Sequence, residues 1–92
     1  MFAIAFDLTV ADAETYHPKG YQAAYADIGK TLAAGGFERI QGSVYTNESS
    51  DLAELMTAMA ALKSMPWFPR AVRDVRAFRV ENWSDFTEFV KT

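Results

Sequence analysis

Asp7 is the one charge in the apolar run Phe2–Leu8, and a carboxylate so placed must reach solvent or find a partner. Its structural role would be to accept backbone N–H bonds from the loop that follows. Its chemical role would be that of a general base or metal ligand at the rim of a groove. The second feature is a basic strip. Residues 70–80 carry Arg70, Arg73, Arg76 and Arg79 against a single acid, Asp74, a local balance of +3 in a chain whose net charge is −3. Arginine grips phosphate oxygens through paired N–H bonds, so the strip suits an anionic substrate. Salt bridges to Asp74, Glu81 and Asp85 are the structural alternative. Lys19, Lys30 and Arg39 would extend the strip.

Ser43 and Tyr45 stand two residues apart after Gly42, on one face of a strand. Their hydroxyls either position a phosphate or water or belong to an ordinary strand. No base lies beside Ser43 in the sequence, which leaves a serine nucleophile without support. His17, the only histidine, precedes Pro18 and either caps a helix or acts as a general acid. A lone histidine and no cysteine leave no zinc-binding spacing and no disulfide. Tyr16, Tyr21, Tyr25, Trp67, Phe68 and Trp83 either stack on bases or fill the core and an interface.

These residues need elements to position them. Phe2–Leu8 reads as a central strand apolar on both faces until Asp7. Ala11–Tyr16 reads as polar loop, and His17-Pro18 as the start of a helix whose face is Tyr21, Ala24, Tyr25, Ile28 and Leu32. Gly35-Gly36 stops that helix. Phe37–Thr46 is one strand bulged at Gly42 or two short strands joined there. Asp51 with Glu54 has the form of a capping box opening a second helix, which carries Leu52, Leu55, Met56, Met59 and Leu62 and stops at Pro66. Trp67-Phe68 reads as an apolar loop and Val72–Trp83 as the last strand. Ser84–Lys91 is either a short helix capped by Ser84 or a terminal strand. The order predicts an α+β, ferredoxin-like βαββαβ two-layer sandwich with two helices on one face of an antiparallel sheet and a C-terminal extension. Ala3, Ala5, Val75 or Phe78 would then lie on the open face, and a sheet-to-sheet homodimer would cover them.

With 92 residues, the chain has room for one domain, 1–92. Its 23% charged residues, 14% aromatics and three prolines exclude collagenous, coiled-coil and disordered classes. No apolar run reaches the ~18–20 residues of a membrane span, and the start lacks the basic residues of a signal peptide. A cytoplasmic protein is the expectation. The acidic total argues against nucleic-acid binding through bulk charge.

Met1–Leu8, the pair His17–Gly20 and Tyr25–Ile28, and the segment Phe37–Tyr45 resemble the virulence-associated protein D (VapD) family. Leu62-Lys63, Pro66–Phe68, Val72–Phe78 and Trp83–Phe86 follow the same pattern, in order and over essentially the whole chain. The resemblance implies a bacterial endoribonuclease, in some members the toxin of a pair whose partner is a VapX-type antitoxin. It also implies likeness in fold to small CRISPR-associated nucleases, which are ferredoxin-like homodimers. From those it carries over Asp7 as the catalytic carboxylate, with Ser43 and Asp74 in support. Lys19, Arg39, Tyr45, Arg73 and Arg76 are then the expected contacts to an RNA substrate. The relatives often have a second acid just after the strand aspartate, whereas here Leu8 and Thr9 follow and Asp12 comes later. That departure leaves open whether a divalent cation such as magnesium binds near Asp7.

Overall fold

Alternation along the first strand decides which side of the sheet is buried. In the computed structural model, which describes residues 1–92, β1 (Phe2–Leu8) turns Phe2, Ile4, Phe6 and Leu8 into the core. Ala3, Ala5 and Asp7 therefore point to the other side. Strands β2 (Glu38–Gln41), β3 (Val44–Asn47) and β4 (Val72–Arg79) complete an antiparallel sheet in the order β2-β3-β1-β4. This is the ferredoxin-like arrangement.

The helices α2 (Gly20–Ala34) and α3 (Leu52–Ser64) bury Ala24, Ile28 and Leu32, and Leu55, Ala58 and Leu62, in the same core as the inward side chains of β1. Gly36, at φ +85°, adopts the left-handed conformation that ends α2. Asp51 caps α3 by accepting the Ala53 N–H at 2.9 Å, but its own N–H goes to Ser49 Oγ rather than to Glu54. The capping box is therefore only half made. Gly42, at φ +46°, turns the chain between β2 and β3, so Phe37–Thr46 is two strands rather than one.

The short helices were the least legible elements. Ala11–Tyr16, expected as loop, lies within the helix α1 (Val10–Tyr16). Its only buried residue is Ala13, and one small side chain over seven positions makes no periodic signal. The second helix consequently begins at Gly20, and His17 closes α1 instead of opening α2. Trp67-Phe68 leads into α4 (Phe68–Ala71), with Pro69 inside its first turn. The C-terminal segment forms α5 (Thr87–Lys91), held by the Asp85 carboxylate, which accepts the Thr87 N–H at 2.8 Å; Ser84 is not the cap.

The last strand stops at Arg79, short of Trp83, and just beyond it Met1 and Val80 exchange backbone hydrogen bonds. Val75 pairs with Phe6 and packs against the core, so it does not belong to the open face. On that face Ala3 and Thr46 are buried, while Phe78 remains 45% exposed. Beyond Val80 the chain passes to the β2 edge, where Trp83 to Val90 surround Ile40 and Gln41.

Candidate active site

A bulge assembles the charged corner of the molecule. Asp7 lies opposite Asp74, but Leu8 lies opposite Val72, so Arg73 is the extra residue on β4. A bulge bends its strand and re-aims a side chain. Here the guanidinium swings onto Asp7, donating to Oδ2 from Nε at 2.9 Å and from Nη2 at 2.6 Å. Both bonds fall on one oxygen and leave Oδ1 outside the ion pair. On β4 itself, Arg76 Nε donates to the two oxygens of Asp74, the residue opposite Asp7, at 3.1 and 3.0 Å. Two carboxylates opposed at about 4.5–5.5 Å between β-carbons repel each other, and each is offset by its own arginine. All four side chains are about half exposed or more, at 51% and 49% for Asp7 and Asp74 and 67% and 77% for Arg73 and Arg76. The corner can therefore admit a ligand without unfolding anything.

The arginine strip divides by function of position. Arg70 lies over the Tyr16 ring at 5.2 Å and Arg79 over the Phe2 ring at 5.3 Å, so only Arg73 and Arg76 reach the carboxylates. Asp74 is paired as the salt-bridge alternative expected, but Glu81 and Asp85 take no part in an ion pair with the strip. The partnership of Arg73 with Asp7 had no signal in the sequence, because nothing in the residue types announces the bulge.

Ser43, Arg39 and Tyr45 also come together, though not with Asp7. They line a cleft of about 410 Å³ with Phe6, Tyr25, Ala26 and Gly42, on the helix side of the sheet. Val44 pairs with Ala5 and faces away from the helices, so Ser43 next to it faces toward them. The Ser43 carbonyl accepts the Phe6 N–H at 3.2 Å, which sets this cleft beside the end of β1 but puts its side chains on the face opposite the carboxylates. Arg39 is tied down by its Nε bond to the Gly42 carbonyl at 2.8 Å. Lys19 stands at the junction of α1 and α2.

His17 has no free nitrogen. Its Nδ1 accepts the Lys19 N–H at 3.0 Å, which requires the proton on Nε2, and Nε2 donates to Asp27 Oδ2 at 2.6 Å. The ring is 7% exposed and meets Trp67 edge-on at 5.0 Å. It fastens the α1–α2 turn rather than offering a general acid.

No three histidine, aspartate or glutamate side chains converge on a cation site. Asp7 and Asp74 nevertheless offer the one or two carboxylates that magnesium takes when phosphates and water complete its shell, so the donor set fits such an ion in the presence of a phosphate ligand. No helix is long and apolar enough to cross a membrane.

No protein-family model matches the chain. Curated proteins do. The endoribonuclease VapD homolog of Neisseria gonorrhoeae is 60% identical over 92 residues, the full length of both chains. The chain belongs to the VapD family. Endoribonuclease VapD of Haemophilus influenzae is 57% identical over 91 residues, 99% of each chain. That of Dichelobacter nodosus is 50% identical over 91 residues, 99% of this chain and 98% of the relative.

Proposed function

We propose that the protein is an endoribonuclease that cleaves RNA at the Asp7 corner. The observation that carries this reading is the bulge that sets Arg73 on Asp7 beside the Asp74–Arg76 pair; the names of the relatives support the substrate. A phosphodiester arriving there meets two guanidinium groups. Its oxygens take over the N–H bonds that Asp7 accepts at rest, so binding of the substrate releases the base. Asp7 then removes the proton from the attacking hydroxyl or water. Negative charge builds on the phosphoryl oxygens, where Arg73 and Arg76 offset it. The phosphorus–oxygen bond to the leaving strand breaks, and the leaving oxygen takes its proton from solvent. Asp74 keeps Arg76 oriented. Asp7 and Asp74 are the residues that would hold a divalent cation, which would supply Lewis-acid stabilisation of the phosphoryl oxygens.

Ser43, Arg39, Tyr45 and Lys19 act in this scheme as contacts to RNA beyond the scissile phosphate. Cleavage of one defined RNA by the parent and by Asp7→Asn, each with and without a chelator, tests the reading. The asparagine variant should lose at least about 100-fold in rate. An unchanged rate would refute the mechanism, and loss of the parent's activity to the chelator would assign a cation to the site.

The protein acts as a homodimer in this reading. Phe78 at 45%, and Phe86, Phe89 and Val90 at 65%, 79% and 77% exposure, are apolar surfaces that a second copy would cover. Family membership supports a cytoplasmic toxin restrained by a VapX-type antitoxin protein. Expression of the parent should then arrest growth, Asp7→Asn should not, and co-expression of the antitoxin should restore it.

A further inference from the structure

A second cleft lies on the helix side of the arginine strip and has a different chemistry. Tyr16, Pro18, Pro66, Trp67 and Arg70 line a space of about 310 Å³, at the small end of ligand pockets. Trp67 is 7% exposed and forms its floor; the other four residues are exposed and form its rim. The floor is fixed from beneath. Trp67 meets His17 edge-on at 5.0 Å and Phe68 at 5.7 Å, and His17 is itself held by Asp27 and the Lys19 N–H. The prolines have little freedom to lose. An aromatic slot that is already rigid binds a flat partner without paying to order itself.

We propose that this cleft holds an unpaired nucleobase of the RNA strand, stacked against Tyr16 and Trp67, with Arg70 on the adjoining phosphate. The inference rests on the reading of Asp7 as the cleavage site. Aromatic and proline residues also suit a proline-rich peptide, but two observations favour RNA. The only charge lining the cleft is the Arg70 guanidinium, which lies over the Tyr16 ring at 5.2 Å and so presents a cation and a π-face together. The cleft is also close to the candidate active site along the chain. Arg70 belongs to α4, which runs directly into β4, and the Ala71 carbonyl accepts the Thr9 N–H at 2.8 Å, tying α4 to the end of β1. At most roughly 10 Å of extended backbone separates Arg70 from Arg73. A strand held at Asp7 would need only a few nucleotides to reach the cleft.

Trp67 reports on its own occupancy once Trp83 is removed. In a Trp83→Phe background, its fluorescence is followed during titration with a single-stranded 2′-O-methyl oligonucleotide, with the same oligonucleotide carrying abasic positions, and with a proline-rich peptide. The emission should change saturably with the intact oligonucleotide. Tyr16→Ala and the abasic oligonucleotide should each weaken binding about tenfold, Arg70→Gln should weaken it as well, and Tyr16→Phe should bind as the parent does. The proposal is overturned if Trp67 does not respond to RNA, if it responds only to the peptide, or if Tyr16→Ala binds and cleaves with the parent's affinity and KM. The cleavage assay keeps the two claims apart. Full activity of Asp7→Asn together with a Tyr16-dependent Trp67 signal would leave the cleft standing and remove Asp7, whereas an inactive Asp7→Asn with a Tyr16→Ala of parental KM would do the reverse.

Discussion

At the scale of single residues, the ion pair between Arg73 and Asp7 is worth little to the fold, and its weight lies in the proposed mechanism. Both side chains are more than half exposed, so their attraction is screened and contributes at most about 1 kcal/mol to stability. Arg73→Ala should accordingly unfold within about 1 kcal/mol of the parent in a denaturant titration. Its kcat/KM on RNA should nevertheless fall by about 100-fold or more, the usual cost of losing one donor to a developing oxyanion. Asp7 was legible in the sequence because a lone carboxylate in an apolar strand has to be explained. Its partner was not, because the bulge follows from how two strands fail to stay in register, and no residue type marks it. His17 was legible as a chemical oddity but not as a structural one: both of its nitrogens are taken by groups two and ten residues away.

At the scale of elements, the long helices and the central strand followed from their apolar spacing, and the short helices did not. Periodicity needs several buried positions to be seen. Ile28 on α2 and Leu62 on α3 are 0% and 1% exposed, whereas α1 buries a single alanine and α5 buries nothing. Leu62→Ala should therefore destabilise the fold by about 2–5 kcal/mol in equilibrium unfolding. The terminal helix depends on a different device. Hydrogen bonds from the Thr87 side chain and then its backbone N–H hold the Asp85 carboxyl below its ordinary range. A depressed carboxylate stabilises its helix while ionised and loses that contribution as the pH falls through its folded value. The amide resonance of Thr87 should thus report fraying of α5 below the ordinary aspartate range, and Asp85→Asn should remove that pH dependence.

At the scale of the whole molecule, the net charge of −3 is an average over a chain whose residues 70–80 carry a local balance of +3, although the corner itself sets two arginines against two aspartates. RNA that meets the two arginines of the corner, or all four of the strip, should bind with a shallow salt dependence, a log–log slope between roughly −1.4 and −2.8 for a single strand. A steeper slope would place the RNA on a wider surface. The ferredoxin-like order of strands was readable from the alternation of elements, but the state of the helix-free face was not. Ala3 on that face is fully buried while its cross-strand partner Phe78 is 45% exposed, a difference that alternation alone does not give. If a second copy covers the remaining apolar surface, sedimentation should show a dimer for the parent and a monomer for Phe78→Glu, with the helical circular dichroism of the two unchanged.

The central claim is that Asp7 is the base that cleaves RNA. Its most direct test is the single-turnover rate of Asp7→Asn on one defined RNA with enzyme in excess, where neither weak binding nor slow release can intervene. The rate should fall at least about 100-fold below that of the parent with the oligonucleotide still bound. A rate equal to the parent's would contradict the claim.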